Sequence, residues 1–268
     1  MQAQLVVLVT GASSGFGKAT AELLAAQGMR VFGTSRKTMG EKLDGYELLN
    51  LDVDSDESVT KCLKEVMENS GRIDVLVNNA GQAYLGAIEE TSIMEAKSLF
   101  ETNFFGAVRM VDAALPVMRK QRSGLIINIA SLAAVIGVPT RAFYCASKAA
   151  LGMFSDVLRV EVKGFGIRVS AVYPGFFRTG ILEAVRIPGA PMDEYKKMRE
   201  NAYSVRTKDL QAGDDPRLVA ETILRIIKSK SPRASYVVGK GKRNLLVKSI
   251  LPQSAFESLV TRHYKVGT

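Results

Sequence analysis

Short, wholly apolar runs alternate along the chain with longer segments of helical periodicity. Leu5–Thr10, Arg30–Thr34, Tyr46–Leu51, Ile73–Asn78, Gly124–Ala130, Arg168–Tyr173 and Ser235–Val238 read as strands. Most are apolar at every position rather than at alternate ones, the pattern of strands covered by helices on both faces. Helices are predicted near 15–27, 55–69, 92–121, 142–163 and 216–228. Ser55, ahead of Asp56-Glu57-Ser58, has the makings of an N-cap, and Asp215-Pro216 reads as a cap and first turn. Seven strands alternating with helices predict a single α/β domain over residues 1–268 with a parallel, doubly wound sheet. Two stretches break the rhythm: 176–213, which carries no strand, and the tail from about 239 to 268. A long insertion in a compact domain usually serves as a lid or binding loop.

Composition narrows the function. Of 268 residues, 47% are apolar and 24% charged, a globular balance that excludes a mainly disordered chain. The only cysteines are Cys62 and Cys145 and the only histidine is His263, so neither a disulfide framework nor a His/Cys metal cage is expected. A Ser-His-Asp triad is equally disfavoured. Met1 leads into Leu5–Val9 without a basic region or a cleavage signal, so no secretory leader is expected. No run approaches the roughly 18 apolar residues of a spanning helix. A cytoplasmic location follows as the expectation.

The net charge of +9 is unevenly placed. Residues 225–268 hold ten Lys or Arg against Glu257 alone, and the preceding 224 residues are balanced. Within this tail, Leu245, Leu246, Ile250 and Leu251 lie among Lys240, Lys242, Arg243 and Lys248. Such a segment could lie on an anionic membrane, receive an acidic carrier protein, or pack its apolar face on the domain or on a second subunit. It lacks the interleaved aromatics of a nucleic-acid surface, and nucleic acid is not an expected partner.

Candidate chemistry begins at the first strand–helix junction, Thr10-Gly11-Ala12-Ser13-Ser14-Gly15-Phe16-Gly17. Glycines there permit a tight turn and close approach of backbone to a pyrophosphate held at a helix N-terminus. Selection of NAD calls for an acid at the end of the second strand, on the ribose 2′-hydroxyl. Between Glu22 and Glu41 there is no acid; Thr34-Ser35-Arg36-Lys37 stands instead. A guanidinium suits a 2′-phosphate, so these residues point to NADP(H), the alternative being solvated loop charges. Further on, Tyr144 and Lys148 are four apart and share one helix face. An ammonium beside a phenol favours the phenolate, giving a proton donor and acceptor for a carbonyl/alcohol couple. Ser131, Asn78-Asn79-Ala80-Gly81 and Pro174-Gly175 all follow strands, at the carboxyl edge where open α/β sheets bind ligands. Asn103 falls inside the long helix 92–121, where propensity gives it no place.

Taken in order, these motifs resemble the short-chain dehydrogenase/reductase family: Thr10–Gly17, Asp52, Asn78–Gly81, Asn103, Ser131, Tyr144-x-x-x-Lys148, and Pro174-Gly175 followed by Thr179. The resemblance covers residues 5 to about 240. It implies a Rossmann fold and a hydride transfer with Tyr144 as general acid/base, Ser131 on the substrate oxygen, and Lys148 on the nicotinamide ribose. Asn103 would hold the water of a proton relay behind Lys148. The cofactor would be held by Gly11, Ser13, Ser14, Gly15, Phe16, Gly17, Ser35, Arg36, Asp52, Val53, Asn79, Ala80, Gly81, Tyr144, Lys148, Pro174, Gly175 and Thr179, with no metal. Ser14 departs from the pattern, since many NADP-dependent members carry a basic residue there; the cofactor choice then rests mostly on Arg36.

The insertion carries Phe176, Phe177, Ile181, Leu182, Val185, Ile187, Met192, Tyr195 and Met198, and the loop 132–143 carries Ala133, Ala134, Val135, Ile136 and Val138. Apolar residues over an active-site edge suggest a lid for a hydrophobic substrate, or simply the packing of the lid's own helices. Chain length and Pro174–Thr179 resemble the 17β-hydroxysteroid-dehydrogenase-like branch, which implies a steroid-, retinoid- or lipid-like carbonyl or alcohol. The alternatives are a 3-oxoacyl carrier-protein reductase and a catalytically idle NADP(H)-binding sensor. A homodimer or homotetramer through helices 92–121 and 142–163 is expected from the same resemblance.

Overall fold

The uninterrupted apolar runs become strands buried on both faces. In a computed structural model, described over residues 4–37, 41–43, 45–180 and 185–266, the chain runs β1 (Val6–Val9), α1 (Gly15–Ala26), β2 (Arg30–Ser35), β3 (Glu41–Leu43), β4 (Tyr46–Asn50), α2 (Asp56–Ser70) and β5 (Val75–Asn78). It continues with α3 (Ile93–Phe100), α4 (Gly106–Gln121), β6 (Gly124–Ile129), α5 (Ala142–Glu161), β7 (Ile167–Pro174), α6 (Lys196–Gln211), α7 (Arg217–Lys228), β8 (Ser235–Val238), α8 (Lys242–Ile250) and α9 (Gln253–Tyr264). The sheet order is β3-β4-β2-β1-β5-β6-β7-β8. Seven strands are parallel, as the sequence leads one to expect.

The eighth, β3, is an addition: a three-residue antiparallel edge paired to β4 with Leu43 opposite Tyr46. Gly45 takes φ +85°, the left-handed conformation of a tight hairpin. So short and charged a segment carries no apolar run, and only the Asp44-Gly45 dipeptide signals it.

Alternation along each strand sends neighbouring side chains to opposite layers. Leu8, Leu76, Ile126 and Val169 pack with α2, α4 and α5; Val7, Val9, Val77 and Ile127 pack with α1 and α7. Each fully buried aliphatic contributes roughly 1.5–3 kcal/mol, so these two layers dominate stability. The helix ends follow local chemistry. Ser55 accepts a hydrogen bond from Ser58 N (3.2 Å), and Asp215 Oδ1 accepts one from Arg217 N (2.8 Å). Ser92 and Glu95 close a capping box at α3.

The expected helix 92–121 is divided. A π turn over Glu101–Phe105 separates α3 from α4, with Asn103 inside it. One π turn widens the helix and re-aims the residues it contains, a distortion common at functional sites. The basic tail folds as α8 and α9, broken by Pro252. No described helix is long and apolar enough to cross a membrane.

Candidate active site

The crossovers from β1 run one way toward β2 and β4, and those on the other side run toward β5 and β6. The crevice between the carboxyl ends of β1 and β5 is therefore the switch point at which such sheets bind ligands. The glycine turn occupies it. Gly11 and Gly15 have φ of +67° and +54°. A Cβ at Gly17 would lie 2.1 Å from Gly11 O and 2.5 Å from Asn79 Nδ2, which leaves room for hydrogen alone. Asn79 locks the turn to the sheet by donating from Nδ2 to Thr10 O (2.9 Å) and Gly11 O (3.0 Å). Both Asn79 N and Ala80 N donate to Thr10 Oγ1 at 2.9 Å. Ser14 makes no side-chain cap, which leaves the first amides of α1, next to exposed Ser13, without a side-chain partner. This backbone cradle fits a pyrophosphate.

The other expected cofactor residues lie along the same edge. Ser35 ends β2 and Arg36 follows it, exposed. Asp52 Oδ1 accepts from Asp54 N (3.1 Å), and Val53 is buried against the α4 start, where a Cβ on Gly106 would meet it at 2.7 Å. Thr179 hangs over the turn, its Cγ2 3.8 Å from where a Gly15 Cβ would be. Phe16 packs edge-on against Phe177 at 5.1 Å. Pro174-Gly175 turns the chain out of β7, and a Cβ on Gly175 would sit 1.7 Å from Lys240 O.

The residues expected to do proton chemistry converge on one point. Tyr144 is buried on α5, one turn before Lys148. Burial alone would raise the phenol's pKa. The charges of Arg141, Lys148 and Arg206 and a hydrogen bond from Ser131 outweigh it, and hold Tyr144 below the ordinary phenol value. Desolvation pushes the Lys148 ammonium down, with Tyr144 opposing. Its Nζ donates to Ile129 O at 2.9 Å. Ser131 caps a short 3₁₀ turn at the end of β6, where its hydroxyl also accepts from Ala133 N (3.2 Å). Asn103 Oδ1 accepts from Gln82 N (2.7 Å), while Nδ2 donates to Gln82 O (3.1 Å) and Ser147 Oγ (3.2 Å). A Cβ on Gly81 would meet both Asn103 Oδ1 (3.2 Å) and Lys148 Nζ (3.4 Å). Asn78 lies deeper and donates to Asn128 Oδ1 (2.9 Å).

A cavity of about 620 Å³ opens on Tyr144 and Ser131. From the loop 132–143 it takes Ala133, Ile136 and Val138 as expected, together with Leu132; Val135 is 40% exposed. The insertion contributes differently from the expectation. Phe176 and Phe177 line the cavity, but Ile187 is 65% exposed and Tyr195 donates to Glu89 on the surface (2.7 Å). Ile181 and Leu182 lie outside the described residues. α6 instead supplies Arg206, Asp209 and Leu210.

The opposite wall is the tail: Asn244 and Val247 from α8, and Phe256, Leu259, Val260, His263 and Tyr264 from α9. Phe256 packs on Leu132 and Ile136, and His263 pairs with Asp209 at 3.2 Å. Much of the tail thus packs on the domain, while Leu246 (62%) and Ile250 (70%) stay exposed. Sequence reasoning missed Arg141, Arg206 and the α9 residues as site groups. Arg141 stands one turn before Tyr144, a spacing that could have revealed it; the others come from remote segments without a local pattern.

Known proteins resemble this chain in sequence and fold. The profile of the short chain dehydrogenase family matches residues 5–188. The chain is 40% identical over 251 residues to 3-ketodihydrosphingosine reductase of Bacteroides thetaiotaomicron, covering 93% of each. A solved short-chain dehydrogenase from Streptomyces avermitilis superposes with a TM-score of 0.84 at 33% identity, over 99% of this chain and 98% of that one. A closed form of serine dehydrogenase complexed with NADP+ gives 0.75 at 27% identity, over 88% and 94%. With fold, glycine cradle and Tyr/Lys/Ser cluster in one arrangement, the chain belongs to the short-chain dehydrogenase/reductase family of oxidoreductases.

Proposed function

We propose that this chain is an NADP(H)-dependent reductase. It would move a hydride between the nicotinamide and the carbonyl or secondary alcohol of a bulky apolar, lipid-like substrate. The observation that carries this reading is a phenol held below its ordinary pKa at the floor of a cavity of about 620 Å³ with a largely apolar lining. When bound, the cofactor supplies or accepts the hydride; the protein's residues manage position and protons. Gly11, Gly15 and Gly17 would admit the pyrophosphate against backbone, and Arg36 would read the 2′-phosphate. Ser131 would hold the substrate oxygen beside the Tyr144 hydroxyl. In reduction Tyr144 donates its proton to that oxygen as it gains charge, and in oxidation the phenolate takes it back. Lys148 and Arg141 stabilise the phenolate in either direction. Asn103, beside the Lys148 ammonium at Gly81, would hold the water that returns the proton.

Two observations favour a lipid-like carbonyl. Leu132, Ile136, Val247, Phe256 and Val260 line the cavity, and a relative with 93% mutual coverage is called a 3-ketodihydrosphingosine reductase. Exposed Leu246 and Ile250, among Lys242, Arg243 and Lys248, support peripheral contact of α8 with an anionic membrane. Exposed Met94 on α3, Phe105 on the π turn, and Met153 and Val160 on α5 support pairing of subunits through this face. Tyr144→Phe tests the mechanism: NADPH oxidation against a panel of lipid-like ketones should fall by at least about a thousandfold while NADPH still binds. Retained turnover would sink the assignment.

A further inference from the structure

The cavity's polar groups are not those of a purely apolar substrate. Arg141 is 8% exposed, and its guanidinium lies 4.0 Å from the centre of the Tyr144 ring. Arg206 enters from α6 with its Nε buried and without a hydrogen-bond partner. Among the described residues, no carboxylate stands at ion-pair distance from either guanidinium. Asp209, the cavity's acid, lies 3.2 Å from His263 and acts on Arg206 through its field without touching it. Burial first, and then repulsion from Arg141, pushes Arg206 down to about 10, so the two cations oppose each other.

The backbone is also held unfavourably here. Thr140, immediately before Arg141, takes φ +63° while only 6% exposed. A β-branched residue rarely adopts that conformation, and strain of this kind gathers at functional sites. Its carbonyl accepts from Gly86 N (2.8 Å), which fixes the strained turn and with it the start of Arg141. α6 is likewise anchored, through the ion pair of half-buried Arg199 with buried Glu90. Two guanidiniums beside the Tyr144 phenol, neither in direct contact with a carboxylate, are compensated only through the field of Asp209 and the nearby phenols, and a bound anion would complete the site.

We propose that Arg141 and Arg206 form an anion-recognition site inside the cavity, and that the substrate carries a carboxylate or phosphate group close to the carbonyl that Tyr144 serves. The apolar body then lies along Ile136, Val247, Phe256 and Val260. A guanidinium fork accepts either anion in bidentate fashion. A cationic head group meets two like charges, and a neutral one leaves both unmatched. The proposal rests on the reductase reading for the place of the carbonyl, but its binding arm does not depend on turnover.

Calorimetry on the full chain with NADP+ would compare decanoate, decyl phosphate, decanol and decylamine. One of the two anions should bind on the order of tenfold tighter than decanol, with decylamine weakest; which anion wins identifies the head group. In Arg206→Gln that gap should shrink severalfold, and Arg206→Lys should keep part of it. In turnover, a medium-chain 3-oxo acid should exceed its methyl ester in kcat/KM by a similar factor, with the ratio collapsing in Arg206→Gln. Equal binding of decanoate, decyl phosphate and decanol would overturn the proposal even if no variant folded. So would an Arg206→Gln that kept the ratio while shifting the pH profile of acid and ester alike, since the arginines would then only tune Tyr144. If instead the anions bound as expected but Tyr144→Phe stayed active, the reductase reading would fall and the anion site would stand.

Discussion

The candidate site has two parts of different make, the glycine turn and the cavity next to it. At the glycine turn beside β1, β5 and α1 the surface is backbone, and at Gly11 and Gly17 a single methyl would press on main chain at 3.0 and 2.1 Å. In the cavity, toward α6, α8 and α9, the wall is side chain: Arg206, Val247, Phe256 and Tyr264 reach in from three helices. A backbone surface permits almost no change of size, whereas a side-chain wall can be altered one residue at a time. The first suits a ligand that never varies, the second a ligand that does.

Three substitutions press on this contrast, in descending order of effect. Gly17→Ala forces a methyl into Gly11 O, so NADPH binding should be lost and unfolding should come at least about 3 kcal/mol earlier. Fluorescence titration and thermal melts measure both; a variant that binds NADPH normally would show that the cradle is not rigid backbone. Phe256→Ala empties a side chain that is 7% exposed on α9. Its stability cost should be about 2 kcal/mol, below the usual range for a lost core phenylalanine because one flank is open cavity. The KM for apolar ketones should rise while NADPH affinity holds, and a matching loss of NADPH affinity would erase the division between the two parts. Arg36→Ala is the mildest: melting should move by no more than about 0.5 kcal/mol at this exposed site. NADPH affinity should fall by about tenfold and NADH affinity hardly at all. Equal losses would reassign Arg36 to a solvated loop.

The same contrast explains what could be read in advance. The cradle was legible because glycine has few reasons to recur at a strand–helix turn, and Tyr144-x-x-x-Lys148 because one helical turn joins its parts. The parallel strands were legible from apolar runs, and β3 was not, because three residues at an edge bury no such run. Asn103 drew notice as a misfit in a helix, yet the π turn that re-aims it depends on contacts with Gln82 and Ser147. Arg206 and Tyr264 meet Tyr144 across 62 and 120 residues of sequence. No local pattern carries such a meeting; it exists only once the sheet has brought β6, β7 and β8 together.

The far wall also bears on how such a protein can change. α9 follows the last strand, and it is held to α6 by His263 on Asp209 and by Asn201 Nδ2 on Lys265 O (3.0 Å). None of its residues belongs to the sheet or to the glycine turn. This part of the cavity wall is therefore a detachable paragraph: α9 can be rewritten, or exchanged for another helix of similar length, without re-editing the sheet or the glycine turn. Descendants of one ancestor could share a single reaction and part company only in their closing lines.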